Sequence, residues 1–262
     1  MGSISRYIFS TTFGAFLIVL FSLTSVIWIT QALRDIDLMT NQGQSIFVFV
    51  GITSLIIPLL LLIIAPLALM IAWSRDAVQM VRRLFEQDLE LYRSFASFPA
   101  HTLSLVRADG AMDLYHGGLR ARDADNRTLF DHASYDHYWE RIAEDVKAWS
   151  YMKFPFFKDL GPETGWYRVG PLTRVTRCDF IPTPLADRER REFLAFDDGR
   201  AARSTLGFHW ARMIEMLHSA EAIKDLLHDD DLLGTELMAG GARQARGVGV
   251  IEAPRGTLIH HY

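Results

Sequence analysis

The hydrophobic pattern divides the chain into two unequal parts. Residues 7–30 contain no charged side chain, and neither do residues 46–73. At 1.5 Å per residue, each run is long enough to cross the ~30 Å hydrocarbon core of a bilayer as a helix. The pattern therefore predicts two transmembrane helices in residues 1–72, followed by a part with the polar content of a globular domain.

The distribution of positive charge predicts how these helices are oriented. Arg6 precedes the first run and three arginines follow the second, whereas the loop 31–45 carries only Arg34, beside two aspartates. Because arginine and lysine are enriched on the cytoplasmic side of membrane proteins, both ends of the chain are expected there. The predicted location is the inner (cytoplasmic) membrane.

The pattern changes after Trp73 to short periodic runs separated by turn residues. Helical spacing of apolar residues predicts helices over 74–95, 136–149, 184–197 and 206–229, Asp-Gly and Gly-Gly steps predict a small β-meander over 102–130, and a Pro- and Gly-rich stretch predicts a structured loop over 150–183. The expected fold class is mainly α: two N-terminal transmembrane helices followed by a mostly helical domain with a small β-meander.

Charge and cysteine content exclude several functions. The net charge of −4 belongs to residues 74–262, because residues 1–73 hold two arginines and two aspartates. Without a polybasic surface, nucleic-acid binding has little support. The single cysteine, Cys178, allows no disulfide within the chain and no cysteine cluster for zinc or iron and sulfur. We expect Cys178 to be a small buried residue rather than a reactive thiol.

One predicted helix carries a possible metal-binding motif. Glu215, His218 and Glu221 form an E-x-x-H-x-x-E line on neighbouring turns of the helix 206–229. Di-iron carboxylate bundles need two Glu-x-x-His copies and two further glutamates, and only one copy is present. The favoured interpretation is a polar face with ion pairs inside the helix.

The other candidate motifs are weaker. Asp113 and His116, and the pair His260 and His261, lack ligand spacing to a second cluster, so we interpret them as turn or packing residues. The glycines of 246–250 precede no predicted helix, which argues against a dinucleotide loop.

The stretch "EAPRG" predicts a rigid turn. Pro254 fixes its own backbone and restricts Ala253, while Gly256 permits a tight exit, so Arg255 would project from the turn. A guanidinium held in this way can clamp an anion or overhang a reacting centre. From these residues alone, a structural ion pair between Arg255 and Glu252 is the favoured alternative.

Residues 73–262 resemble the middle of the large subunit of cytoplasmic, NAD-linked (bidirectional) nickel–iron hydrogenases. The resemblance rests on long stretches in one order: "DLYHGGLRARDADNRTLFDH", "WSYMKFPFFKDLGPETGWYRVGPL", "CDFIPTP", "HWARMIEMLHSAEAIKDLLHD" and "GVGVIEAPRGTLIHHY". It implies a partial hydrogenase large-subunit fold, with a hydrogenase small subunit together with an NAD-reducing module as partners. It also implies that Pro254 borders the nickel–iron centre and that Arg255 is catalytic, lying over the open coordination position where dihydrogen is split.

The metal ligands of that family are missing from this chain. The family holds nickel and iron with four cysteines in two C-x-x-C pairs, and Cys178 matches a position outside those pairs. Because such a centre needs thiolate anchors, we expect no metal ligand and no cofactor in this chain. The isolated chain is therefore expected to be inactive, although its parent family contains a nickel–iron centre.

Residues 1–72 resemble the start of the lipopolysaccharide export permease family. The run "SRYIFSTTFGAFLIVLFSLTSVIWITQALRDIDLMTNQGQS" and its continuation "IIPLLLLIIAPLALMIA" carry this resemblance. It implies a transport ATPase and further permease subunits as possible partners.

Two domains are therefore expected, 1–72 and 73–262, joined near residues 71–73. The leading hypothesis is a hybrid or truncated chain derived mainly from a hydrogenase large subunit that lacks its first and last thirds. The alternatives are a permease component of lipopolysaccharide export with a passenger domain, and a membrane-anchored pseudo-subunit without catalytic activity.

Overall fold

The computed structural model describes residues 46–235, 238, 240–242 and 244–262, together with the isolated positions 14, 17 and 18. Nearly all of the predicted first span, 7–30, and the loop 31–45 lie outside the described residues.

A long helix begins the described region. Helix α1 covers Ile46–Gln87, and the short helix α2 follows over Leu89–Ser94. Asp88 separates them and caps α2, since its Oδ1 accepts a hydrogen bond from the Leu91 amide at 3.1 Å. The helix predicted over 74–95 is thus confirmed apart from this one-residue break, and α1 is continuous through residues 71–73.

The prediction of a membrane-spanning fold is wrong. Within the described ranges, the structure contains no helix that combines the length and the apolar character needed to cross a bilayer. In the part of α1 whose side chains are described, from residue 65 onwards, Ile71, Val78, Val81 and Phe85 belong to the buried helical core. The transmembrane fold class and the inner-membrane location expected from the sequence are therefore contradicted.

The helical core forms where α1 crosses the longest of three further helices. These are α3, Pro171–Arg177; α4, Pro184–Ala195; and α5, Gly207–Leu226. Trp210 of α5 is fully buried, and the ring centroids of Phe85, Phe193 and Phe196 lie 5.1–5.2 Å from its own. Aromatic packing at these distances stabilises the contact beyond simple burial. The predicted helices 184–197 and 206–229 correspond to α4 and α5.

A four-stranded sheet lies beside this core. Its strands are β1, His101–Val106; β2, Gly118–Arg122; β3, Thr128–Ala133; and β6, Tyr167–Arg168, in the order β3-β2-β1-β6. The β1–β2 and β2–β3 pairs are antiparallel, which confirms the predicted meander, whereas β6 runs parallel to β1. Leu103, Leu105 and Leu119 bury its inner face in a second core cluster.

Two hairpins complete the described fold. Strands β4, Ile142–Val146, and β5, Lys153–Phe157, form one, and strands β7, Val248–Ala253, and β8, Gly256–His261, form the other. With three sheets, the fold is not mainly α as predicted.

The helix predicted over 136–149 is wrong. A 3₁₀ turn covers Tyr135–Glu140, and strand β4 follows it. In β4 Ile142 is paired with Phe157 and is buried, while Val146 and Trp149, which a helix would have placed on one buried face, are 70% and 77% exposed. The stretch 150–183, predicted as a loop, contains β5, β6 and α3.

The central ring cluster gives a first test of this fold. Phe85→Ala removes a fully buried ring from the contact with Trp210, so the free energy of unfolding should fall by about 3–5 kcal/mol. Met80→Ala on the same helix, where the side chain is 58% exposed, should change it by no more than about 0.5 kcal/mol. Chemical denaturation followed by circular dichroism measures both, and equal losses would contradict the assigned face of α1.

Candidate functional site

The turn between β7 and β8 is the candidate functional site. Ala253 pairs with Gly256, so Pro254 and Arg255 alone form the turn. The turn packs against the residues that precede α3. A Cβ on Gly256 would lie 2.2 Å from Val169 Cγ2, and one on Gly170, whose φ is +98°, would lie 2.8 Å from the Arg255 carbonyl oxygen. Glycine at both positions therefore permits this close approach.

Two arginines hold the backbone of the turn. Arg174 Nη1, on α3, donates to the Ala253 carbonyl at 2.9 Å. Arg212 Nη1, on α5, donates to the Pro254 carbonyl at 2.8 Å. The turn is thus anchored to two helices by charge-assisted hydrogen bonds, which are stronger than neutral ones.

Arg174 also joins two carboxylates. Its Nε and Nη2 bind the two oxygens of Glu215 on α5, the latter at 2.8 Å, and its Nη1 contacts Glu252 Oε2 at 3.0 Å. The side chain of Arg174 is 2% exposed and that of Glu252 is fully buried. We call Arg174, Glu215 and Glu252 the buried triad.

Glu252 extends the buried triad into the sheet. Its Oε1 accepts hydrogen bonds from the Leu105 amide at 2.7 Å and from Thr257 Oγ1 at 3.0 Å. Burial raises the pKa of Glu252, and Arg174 and the Leu105 amide oppose that rise. Because the surrounding groups donate hydrogen bonds, they match the ionised carboxylate. Strand β1, helices α3 and α5 and the β7–β8 hairpin therefore meet at this group.

Arg255 is not part of these contacts. The predicted Arg255–Glu252 ion pair is wrong, because Glu252 is bound to Arg174. Pro254 and Arg255 are both exposed, and Arg255 forms no ion pair within the part of the chain that the structure describes. The structure thus places the two predicted site residues together at the tip of the hairpin, and the Arg255 guanidinium is exposed and has no ion-pair partner among the described residues.

The E-x-x-H-x-x-E motif of α5 has structural partners. Glu215 binds Arg174, His218 Nδ1 lies 2.9 Å from Thr183 Oγ1, and the carboxylate of Glu221 accepts the amide hydrogens of Leu185 and Ala186 at the start of α4. The predicted ion pairs inside the helix are therefore wrong, because each side chain contacts another element. Among the described residues, no group of three or more histidine, cysteine, aspartate or glutamate side chains could hold a metal ion.

The remaining motifs serve turns and packing, as predicted. Asp113 Oδ1 accepts the amide hydrogens of Tyr115 and His116. His261 stacks on Trp139 with ring centroids 5.5 Å apart.

Cys178 is a buried core residue, as predicted. It is 2% exposed, and its Sγ contacts the Val175 carbonyl at 3.6 Å. Burial raises the pKa of the thiol to about 11, so it is protonated at neutral pH. A nickel–iron centre requires several cysteine thiolates as ligands. Cys178 is the one cysteine in the sequence, its thiol is not ionised, and it lies far from the Arg255 turn along the chain. The residues of this chain therefore do not fit the metal centre.

Sequence reasoning found the turn but missed the arginines that anchor it. Arg174 lies in the stretch predicted as a loop, although Pro171 directly after Gly170 is a recognisable helix start. That signal predicts a helix but not its partners, which lie 41 and 78 residues further along the chain.

Comparison with known proteins shows that the chain is related to nickel–iron hydrogenase subunits, which confirms the resemblance predicted from its sequence. The NAD-reducing hydrogenase HoxS subunit beta of Cupriavidus necator is 43% identical over 195 residues, which cover 73% of this chain and 40% of that protein. The F420-non-reducing hydrogenase of Methanothermobacter thermautotrophicus has a subunit that is 41% identical over 182 residues, covering 68% of this chain and 38% of that protein.

A solved structure agrees with these relatives. The crystal structure of an NAD⁺-reducing [NiFe]-hydrogenase in the H₂-reduced state superposes with a TM-score of 0.71 at 50% identity, covering 76% of this chain and 45% of that one. The chain spans less than half the length of each of these proteins. A profile of the lipopolysaccharide export system permease LptF/LptG family matches residues 6–75, a region that lies largely outside the described residues.

The buried triad predicts a large effect from a nearly isosteric substitution. Glu252→Gln removes the charge that compensates Arg174, and breaking a buried pair in this way should lower the free energy of unfolding by about 3–5 kcal/mol. Glu144→Gln is the matched control, because its ion pair with Lys153 is exposed and should contribute little. Urea titration of both variants measures the difference, and a Glu252→Gln protein as stable as the control would contradict the triad.

His218 predicts a pH dependence of stability. Burial lowers the pKa of His218 in the folded chain, and the neighbouring carboxylates of Glu221 and Glu215 oppose this only in part. The unfolded chain therefore takes up a proton more readily, and stability should fall as the pH drops below about 6.5. His218→Gln keeps a partner for Thr183 and should remove part of this loss, whereas His116→Gln, at an exposed position, should retain all of it. Unfolding curves at several pH values measure the stability of both variants. If stability falls with pH in the same way in both, His218 is not the source of the pH dependence.

Proposed function

We propose that residues 73–262 serve as the central part of a nickel–iron hydrogenase catalytic subunit, in which they present the Pro254–Arg255 turn to the metal centre. The observation that carries this proposal is that two arginines bind the backbone of the turn while the arginine within the turn has no partner among the described residues. Arg174 and Arg212 hold the backbone of the turn, so Arg255 is left exposed and free of ion pairs within the described residues. An arginine with no structural partner on a rigid turn is suited to a functional role.

Under this proposal Arg255 is the catalytic residue of the chain and Pro254 borders the cofactor. A guanidinium offers a positive charge and several hydrogen-bond donors, which Arg255 would present beside the reacting position. The rigid Pro254 backbone and the close contact of Gly170 with the turn fix the point from which the Arg255 side chain projects. Preorganised donors of this kind contribute strongly to catalysis.

The chain does not supply the metal centre itself. Its one cysteine is buried and protonated, and the family's two C-x-x-C pairs have no counterpart in this sequence. We therefore propose a hybrid or truncated chain that is inactive by itself. Activity would depend on sequence that carries those cysteines.

The proposed partners are a hydrogenase small subunit together with an NAD-reducing module. The names of the relatives support this class of assembly, since one is a subunit of an NAD-reducing hydrogenase. Exposed aromatic side chains around β5 also support an interface, because Trp149, Tyr151 and Trp166 are 77%, 98% and 52% exposed.

The isolated chain and a chimera together test this proposal. Purified chain should contain no stoichiometric nickel and should reduce no dye under hydrogen, because the thiolate ligands are missing. Residues 73–262 placed into the corresponding region of an NAD-reducing hydrogenase large subunit should support hydrogen oxidation. In that chimera Arg255→Lys should lower kcat by about 10²-fold with nickel retained, because one preorganised donor group is changed.

The matched control in the chimera is Arg188→Lys. Arg188 is 70% exposed on α4 and is paired with Glu192, so its substitution should leave kcat unchanged. Stoichiometric nickel in the isolated chain would refute its proposed inactivity. A chimera that loads nickel but is equally active with Arg255→Lys would refute the catalytic role of Arg255.

A further inference from the structure

A cavity of about 660 Å³ lies away from the Arg255 turn. It is bounded by the β2–β3 turn at Asp123–Asn126, by one face of α3, and by the segments 97–100 and 199–203. Its volume is within the range of small-molecule sites in proteins. Three arginines from different elements line it: Arg168 on β6, Arg177 on α3, and Arg203.

These arginines are not neutralised by protein carboxylates. A fourth arginine, Arg122, lies close enough to Arg177 for the two positive charges to repel each other. Within the described region, neither Arg122 nor any of the three arginines that line the cavity forms an ion pair. Arg177 Nη1 donates to the Asn126 side-chain oxygen, but its buried Nε has no hydrogen-bond acceptor. A buried charged donor without an acceptor is costly, and structures rarely retain one without a reason.

The two carboxylates that line the cavity have other partners. Asp123 Oδ1 accepts the Arg127 amide hydrogen at 2.7 Å, and Asp125 lies 3.7 Å from the Arg127 guanidinium. Burial lowers the pKa of Arg177 to about 10, and repulsion from Arg122 and Arg203 adds to this. Arg177 remains protonated at neutral pH, so three arginines face two carboxylates in the cavity lining and the balance is positive.

The position of Arg168 is fixed by neighbouring side chains. The Arg168 guanidinium lies 4.1 Å from the centroid of the Phe98 ring, and its Nη2 donates to Thr205 Oγ1 at 3.2 Å. Such a preorganised group loses little entropy when it binds a ligand. Planar guanidinium groups match the oxygens of phosphate and carboxylate in two-point contacts.

We propose that this cavity binds a small molecule that carries a multiply charged oxyanion group, such as a phosphate ester or a polycarboxylate. The anion is held between Arg168, Arg177 and Arg203, and it supplies the acceptor that Arg177 Nε lacks. The site is separate from the hydrogenase function proposed above and does not depend on it.

Thermal unfolding of the purified full chain tests the site with inorganic phosphate as the probe. Because a ligand that binds only the folded state stabilises it, phosphate should raise Tm in a saturable manner, relative to chloride at equal ionic strength. A parallel titration with citrate separates the two sources of the anion: a larger shift with phosphate identifies a phosphate ester, and a larger shift with citrate identifies a polycarboxylate. Neither anion exceeding chloride would overturn the proposal.

Two variants locate the binding. Arg203→Gln changes an exposed residue and should weaken phosphate or citrate binding about tenfold without unfolding the chain. Arg177→Gln should abolish the shift, yet the anion-free protein should be as stable as wild type or more so, because an uncompensated buried charge is removed. Arg188→Gln on α4 is the control and should bind as wild type does. Equal anion-dependent shifts in all three variants would refute this location.

Discussion

The buried triad of Arg174, Glu215 and Glu252 is the constraint on which the rest of the described structure depends. It joins the helical core to the sheet, because α3 and α5 contribute two members and the β7–β8 hairpin contributes the third. A buried charge is tolerated only when its partners are fixed and its remaining hydrogen bonds are made, so the triad determines the position of all three elements together. Arg255 is not part of it, since Glu252 is bound to Arg174, Leu105 and Thr257 instead.

The elements predicted correctly are those whose periodicity agrees with their packing. Helices α4 and α5 bury residues at helical spacing against partners. The β1–β3 meander was predicted from its turn steps, since β1 and β2 bury consecutive residues rather than alternate ones. Periodicity failed where the apolar residues pack against nothing in the described fold. Val146 and Trp149 are spaced as in a helix, but Val146 ends strand β4, Trp149 follows it, and both side chains are exposed. It also failed for residues 46–73, because an uncharged composition alone does not distinguish a helix that crosses a bilayer from one that packs against a protein core. Ile71 packs in that core.

Only the part of the candidate site that depends on local backbone restrictions could be predicted from the sequence. Pro254 and Gly256 predict a rigid turn that projects Arg255, and the structure has this turn. The partner of Glu252 was predicted wrongly, because the nearest arginine in sequence competes with one 78 residues away that the fold brings closer. The three arginines that line the cavity could not be predicted from the sequence either, since Arg168, Arg177 and Arg203 converge from separate elements.

The long sequence separations within the buried triad have a consequence for the order of folding. Glu252 follows Arg174 by 78 residues and Leu105 by 147, and contacts across such loops form slowly because closing the loop costs entropy first. The packing of α4 on α5 around Trp210 requires none of these contacts, and it joins Phe193 to a ring only 17 residues further along the chain. We expect these helices to assemble first, while Arg174 is still hydrated. The β7–β8 hairpin then docks last, when Glu252 replaces the water bound to Arg174, and this contact raises the kinetic barrier to undocking of the hairpin.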